Sequence, residues 1–316
     1  MSWQSALACW VLRRRMRPET AKPSIDVARA RAFASKRVWQ PKVPSGWKLV
    51  ERYGANDAPL RGEWLSPEKV TASGITILYL HGGGYYFCSP ATHRGIVSPL
   101  AARSGARIFS LDYKLAPEHP FPAALDDALA AYRRLINDGA SPASLVIAGD
   151  SAGGGLALAT LLALRDAGDA LPAGAVLFSP WTDLAATGAS MTSNDGRDPM
   201  FFSRAFVPAG KLYLGDIDAR NPYASPLYGQ FDGLPPLFIQ AGDTEVLLDD
   251  STRVAEKAQA AGVSVDFEIW PDMPHVFQMF APFVPEANRA LDRAAGFIRQ
   301  VAKRHDKHHA TDKLPA

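Results

Sequence analysis

Two glycine motifs, each leaving an apolar, β-branched run, set most of what this chain can fold into. His81-Gly82-Gly83-Gly84 follows Ile75-Thr76-Ile77-Leu78-Tyr79-Leu80, and Gly149-Asp150-Ser151-Ala152-Gly153 follows Leu145-Val146-Ile147-Ala148. The second motif opens an alanine- and leucine-rich helical stretch that ends near Gly168. This pattern predicts a strand-to-helix turn presenting a serine, with a glycine loop earlier in the chain at the end of another strand. A side chain at position 149 or 153 would collide with the neighbouring strand or helix, so glycine fills both.

The chemistry follows from those positions. Ser151 at a sharp turn projects its hydroxyl from the strand end, as a nucleophile requires. The Ala152 N–H lies at a helix N-terminus, where backbone donors are free and the dipole favours negative charge. The glycine run exposes N–H groups without Cβ obstruction. Gly83, Gly84 and Ala152 are therefore the expected oxyanion donors, stabilising charge that develops on a carbonyl oxygen under attack. The bland alternative is two glycine-rich loops that only close βα turns. A nucleotide-cradling loop is disfavoured, because neither G-x-G-x-x-G at the first strand nor a Walker-type Lys-Ser or Lys-Thr ending is present.

Strand-like segments recur at Trp47–Tyr53, Gly62–Leu65, Arg107–Leu111, Ala175–Phe178, Leu237–Gln240 and Val265–Ile269. Helical segments fall at Ala123–Ile136, Asp250–Ala261 and Glu286–Arg304. The alternation predicts an α/β fold with a mostly parallel sheet covered on both faces. Two stretches stand outside it. The segment up to about Val43 alternates apolar and basic groups helically between prolines. A long insertion between Phe178 and Leu237 concentrates Met200, Phe201, Phe202, Phe206, Leu212 and Tyr213. We expect both to form a helical cap over the carboxyl edge of the sheet, where α/β folds bind ligands. The insertion's alternative is a simple extra core helix. The expected division is 1–45 and 185–224 as cap, 46–184 and 225–304 as catalytic domain, and 305–316 as a flexible tail. Tyr85, Phe202 and Phe206 are expected to contact substrate.

At 47% hydrophobic and 21% charged residues, with a net charge of +2, the 316-residue chain reads as one ordinary globular protein. That charge favours neither nucleic-acid partners nor strong membrane-surface binding. Cys9 and Cys88 are too few for a disulfide framework and suggest a reducing, cytoplasmic setting. Cys88 lacks a local histidine partner and reads as a structural or pocket-lining thiol. Ser5 to Leu12 is mildly apolar, but Arg13, Arg14, Arg15 and Arg17 follow it, the reverse of a signal peptide. No run reaches transmembrane length, so no stable membrane insertion is expected. The polar tail from Lys303 carries His305, His308 and His309, a weak metal-binding pattern without a scaffold. No metal or cofactor is expected. A homodimer is compatible with the sequence.

A serine nucleophile needs a base, and six of the seven histidines are placed elsewhere. His81 belongs to the first motif, His93 follows it closely, His119 sits among prolines, and three are in the tail. His275 remains, in a late loop between the last strand and the last helix, where the order Ser, acid, His puts the base. The stretch Gly242-Asp243-Thr244-Glu245-Val246-Leu247-Leu248-Asp249-Asp250 follows the preceding strand. Asp249 and Asp250 suit the start of the next helix, which leaves Asp243 and Glu245 as candidate acids.

Taken together, the motifs resemble those of the hormone-sensitive-lipase-like esterases, bacterial family IV carboxylesterases of the α/β-hydrolase fold. The resemblance rests on His81-Gly82-Gly83-Gly84-Tyr85, on Gly149-Asp150-Ser151-Ala152-Gly153-Gly154, and on Tyr113-Lys114-Leu115-Ala116-Pro117-Glu118-His119-Pro120-Phe121-Pro122-Ala123-Ala124 between them. It covers about Val43 to Arg304. It implies a helical cap and a Ser-His-acid triad acting on small, short-acyl esters. An amidase or deacetylase with the same triad, or a small-molecule receptor on the same fold, is the alternative. One departure stands out. The family's acid opens an Asp-Pro-Leu-x-Asp pattern, and the matching residues here are Glu245-Val246-Leu247-Leu248-Asp249. That register implies Glu245, whose longer side chain must sit further back to reach the same imidazole nitrogen.

Overall fold

Period-two alternation in the strands assigns two opposite cores. Ile77 and Tyr79 face one side of the sheet with Val146, Ala148, Val176 and Phe178, while Leu78, Leu80, Leu145, Ile147 and Leu177 face the other. Strands buried on both faces are what a parallel sheet sandwiched by helices requires. A computed structural model of the protein describes residues 1–22, 24–36, 41–69 and 74–311, of which 36 and 303–311 are described by backbone alone.

The strands are β1 (Trp47–Arg52), β2 (Gly62–Pro67), β3 (Thr76–Leu80), β4 (Arg107–Leu111), β5 (Leu145–Asp150), β6 (Gly174–Phe178), β7 (Leu237–Gly242) and β8 (Val265–Trp270). They form one sheet in the order β1-β2-β4-β3-β5-β6-β7-β8. β1 pairs with β2 and β2 with β4 antiparallel at one edge, and the pairings from β4 onward are parallel. The helices are α1 (Trp3–Arg15), α2 (Val27–Lys36), α3 (Arg94–Ser104), α4 (Ala123–Asn137), α5 (Ala152–Asp166), α6 (Ser190–Ser193), α7 (Phe206–Leu214), α8 (Leu248–Ala260) and α9 (Pro285–Thr311). α3 and α9 cover the face bearing Ile77 and Tyr79. α4, α5, α7 and α8 cover the other.

The expected α/β architecture is therefore the observed one, with three differences. α3 was not foreseen: its Gly95 and internal Pro99 interrupt the helical pattern in sequence. The insertion holds only two short helices, α6 and α7, with turns between them. The backbone of α9 runs on to Thr311, where the sequence suggested a flexible tail from residue 305. The side chains of His305, His308 and His309, and residues 312–316, lie outside the described residues.

The carboxyl ends of β3, β5, β6, β7 and β8 share one edge, and each leads into a candidate segment. The glycine loop follows β3, Ser151 follows β5, Ser179 follows β6, Glu245 follows β7 and His275 follows β8. The register Leu80↔Gly149 holds the first two loops side by side.

Candidate active site

Ser151 sits between β5 and α5 with φ 52° and ψ −122°, a conformation costly for a side chain with a Cβ. Its neighbours hold it there. The Ser151 N–H donates to the Phe178 carbonyl at 2.9 Å, and its own carbonyl accepts from Trp181 N–H at 2.9 Å and Gly155 N–H at 3.0 Å. A Cβ at Gly153 would lie 2.0 Å from the Leu80 carbonyl oxygen and 2.5 Å from that of His81. Only glycine lets the first turn of α5 approach the end of β3 this closely.

That approach brings the Ala152 N–H towards the glycine loop. Gly83 and Gly84 have φ of 116° and 57°. The Gly83 carbonyl accepts from the Tyr86 and Phe87 N–H groups at 3.1 and 3.0 Å, curling the loop back on itself. Among the described residues, the N–H groups of Gly83, Gly84 and Ala152 have no acceptor. Backbone donors left free at a helix N-terminus and a glycine turn are what an oxyanion needs.

His275 and Glu245 are both buried, and the histidine Nδ1 lies 2.7 Å from Glu245 Oε2. His275 Nε2 is buried with no partner among the described residues. Glu245 Oε1 accepts from the Gly242 N–H and, at 2.7 Å, from the Ser179 hydroxyl. The glutamate thus folds back towards its own strand end, which accommodates its extra methylene. Asp243 faces elsewhere: its carboxylate accepts from the Asp272 N–H at 2.7 Å and pairs with Arg197 at 3.3 Å. Burial alone would lower the His275 pKa, but the adjacent Glu245 carboxylate, with Asp198 and Asp150 further off, carries it above the usual histidine value.

Several supporting residues left no mark in the sequence. Ser179 Oγ, besides donating to Glu245, accepts the Val276 N–H at 3.1 Å. One buried hydroxyl therefore ties the acid to the histidine loop. Ser179 and Val276 take φ of 46° and 50°, so both are held in the left-handed region. Asp198 accepts the Met200 and Phe201 N–H groups at 2.7 and 3.0 Å and that of Val246 at 3.0 Å, fastening the insertion beside Glu245. Asn194 Nδ2 donates to the Glu245 carbonyl at 2.8 Å. A Cβ at Gly242 would lie 2.0 Å from the Met273 carbonyl, so glycine there lets the acid and histidine loops touch.

The expected substrate contacts fall in different places. Tyr85 is fully buried and stacks on Tyr213 at 3.8 Å, so its ring belongs to the packed wall. Phe206 meets Trp181 and Phe201 edge-on at 5.4 and 5.3 Å. Phe202 is half-buried, with the Arg17 guanidinium 3.7 Å over its ring. The ring that meets His275 is Phe201, edge-on at 5.2 Å, one position from the expected Phe202. Cys88 keeps its proton, because desolvation pushes its pKa up to about 12. His81 is held neutral, its pKa lowered to about 3 by burial, and stacks on Tyr113 at 4.3 Å.

Known proteins share this arrangement of segments. The sequence profile of the alpha/beta hydrolase fold matches residues 77–279. An acetyl-hydrolase from Streptomyces hygroscopicus is 47% identical over 237 residues, spanning 75% of this chain and 79% of its own length. The carboxylesterase/phospholipase LipF of Mycobacterium tuberculosis is 39% identical over 272 residues, spanning 84% of this chain and 72% of its own. Among solved structures, an esterase from the bacterial hormone-sensitive lipase family superposes with a TM-score of 0.86 at 38% identity, covering 96% of this chain and 99% of that one.

Proposed function

The chain belongs to the α/β-hydrolase fold family, in its hormone-sensitive-lipase-like branch, and is a carboxylic ester hydrolase; from that premise we propose a cofactor-independent serine esterase of small, short-acyl esters with the triad Ser151, His275 and Glu245. The observation that carries this reading is His275, buried, bonded through Nδ1 to Glu245 and left with Nε2 unpartnered. A histidine so placed is oriented on one side and open for proton transfer on the other.

Ser151 Oγ bonds to the ester carbonyl carbon while His275 Nε2 takes its proton. Gly83, Gly84 and Ala152 N–H groups stabilise the oxyanion. Collapse breaks the bond to the alkoxy oxygen, which leaves with the proton from His275. Water then attacks the acyl-Ser151 ester through the same base, releasing the acid and restoring the hydroxyl. Glu245 fixes the imidazole tautomer and stabilises its cation, while Ser179 holds Glu245 and the histidine loop in register.

The segments 1–45 and 185–224 act in this reading as a two-part cap. Arg13 donates to the Arg197 carbonyl at 2.8 Å, Phe202 N–H donates to Thr20 Oγ1 at 3.1 Å, and Arg31 Nε donates to the Tyr86 carbonyl at 2.9 Å. These bonds draw the N-terminal segment over both the insertion and the glycine loop. Phe201, edge-on to His275 and packed on Phe206, supports an apolar surround for the acyl group, and the short-acyl preference follows from the family resemblance. The free Cys9 and Cys88 suit a reducing, cytoplasmic setting.

A fluorophosphonate probe tests the reading. It should label the wild-type chain at Ser151 and leave folded Ser151→Ala unlabelled, and hydrolysis should peak on acyl chains of about two to six carbons and decline on long ones. A chain that binds esters without labelling would be a receptor, and labelling that survives Ser151→Ala would put the nucleophile elsewhere.

A further inference from the structure

α1 is inverted relative to an ordinary cap helix. Ser5 and Leu12 are its buried residues. Its solvent side carries Trp3, Leu7, Trp10 and Val11, which are 72%, 50%, 54% and 42% exposed. The spacing i, i+4, i+7, i+8 places these four on one stripe, and Ala6 is exposed with them. A helix whose only task is to cover a cleft buries tryptophans and shows charge to water. This one leaves both of its tryptophans in water.

Charge then gathers at one end. Arg13, Arg14 and Arg15 form the last turn, Arg17 follows, and the first acidic residue of the chain is Glu19. The Arg14 guanidinium lies 4.7 Å over the Trp10 ring, continuing the stripe into the basic end. The overall charge of +2 hides this local excess. Two exposed indoles beside a run of arginines match the chemistry of an anionic lipid interface, where indole sits at headgroup level and guanidinium on phosphate.

We propose that the exposed face of α1 docks the protein peripherally on anionic lipid. The stripe from Trp3 to Val11 is about 12 Å long at the helical rise, enough to lie in the interface and too short to cross. α1 is anchored near the candidate active site. Ser2 bonds Glu286 through its N–H and hydroxyl at 2.7 and 2.8 Å, and Arg13 bonds the insertion at Arg197. Cys9 Sγ lies 4.0 Å from the Asp272 carbonyl, three residues before His275. Docking would therefore bring the carboxyl edge of the sheet to the lipid surface, within reach of esters that partition there. That consequence rests on the esterase reading, whereas the docking does not.

The test is vesicle co-sedimentation of the purified full chain, which needs no hydrolysis. Vesicles of phosphatidylcholine with about one third phosphatidylglycerol should bind it at least about tenfold better than phosphatidylcholine alone, and about 0.5 M salt should release it. Trp3→Ser with Trp10→Ser should abolish binding, since both side chains point to solvent. Arg14→Gln with Arg15→Gln should weaken it about twenty-five-fold, roughly fivefold per arginine. Circular dichroism and fluorophosphonate labelling report whether each variant is folded. Absent binding, equal binding to neutral vesicles, or variants that bind like wild type would each overturn the proposal. So would a wild-type dimer in sedimentation velocity that the tryptophan variant splits, since the face would then pair two copies of the chain.

Discussion

His275 with Glu245 and His93 with Asp150 are both histidine–carboxylate pairs, all four side chains are buried, and all lie towards the carboxyl edge of the sheet. Their wiring differs. His93 spends both ring nitrogens: Nε2 meets Asp150 Oδ2 at 3.2 Å, and Nδ1 lies 2.8 Å from Thr92 Oγ1 and 3.3 Å from the Ser89 carbonyl. Asp150 is equally committed, accepting the Tyr79 hydroxyl at 2.7 Å and the Gly82 N–H at 3.1 Å on Oδ1. The pair clamps the serine turn to the glycine loop. His275 spends only Nδ1 and leaves Nε2 unpartnered. Burial and a carboxylate partner therefore do not by themselves mark a base; the combination proposed for His275 is a carboxylate on one ring nitrogen and the other nitrogen unspent.

Exchanging each histidine separates the two pairs most sharply. His275→Ala should lower kcat/KM on a short ester by about four to six orders of magnitude, and it should also cost stability, because Glu245 is left buried without its partner. His93→Ala should cost about 3–5 kcal/mol of stability in the same way, by leaving Asp150 buried without its partner, yet retain far more activity in whatever fraction is folded. Thermal unfolding and initial rates on both proteins decide the matter. Equal losses of activity in two folded variants would erase the distinction.

Ser179→Ala probes how the active pair is held. The hydroxyl donates to a carboxylate, and losing such a bond costs about 1.5–3 kcal/mol, or roughly 10- to 100-fold in kcat. KM should change little, because Ser179 touches no substrate in this account. Ser179→Thr, which keeps the hydroxyl, should recover part of the rate. A matching loss in both variants would point to packing rather than to the hydrogen bond.

The pH dependences should run in opposite senses. His275 must be neutral to accept a proton and its pKa lies above the ordinary value, so kcat/KM should fall on acidification with a midpoint above about 6.5. At His93 burial again opposes the charge and Asp150 outweighs it, raising the pKa. Its contribution to stability is complete below the unfolded value of about 6.5 and is lost as pH rises through the folded one. The gap in melting temperature between wild type and His93→Gln should therefore narrow as pH rises, while activity climbs. A gap that widens with pH would mean that His93 is buried neutral.

Much of this was legible in the chain because it is local. The elbow at Ser151 and the glycine run announce themselves by a strand, a turn and a helix within a few residues. The eight strands likewise follow from apolar runs bounded by turn residues. The acid was narrowed to Asp243 and Glu245 but not divided by spacing alone. The family register implies Glu245, and what supports it is contact between distant segments, Asp272 and Arg197 engaging Asp243 and His275 meeting Glu245. Ser179 is 66 residues from Glu245 and 97 from Val276, so nothing near it in sequence signals its place. Phe201 was visible as one of a cluster of aromatics, but which ring meets the histidine depends on how Asp198 caps the turn before it.

In the proposed triad Glu245 orients and charges His275 where the family places aspartate. The direct measurement is kcat/KM of Glu245→Gln and Asp243→Asn on one short ester across pH, with circular dichroism confirming that both are folded. Glu245→Gln should lose about four orders of magnitude. Its residual activity should titrate at lower pH than wild type, because burial then acts on His275 without the carboxylate that offsets it. Asp243→Asn should stay within about tenfold of wild type, losing a surface pair and a turn contact. A crippled Asp243→Asn beside a nearly normal Glu245→Gln would contradict the account.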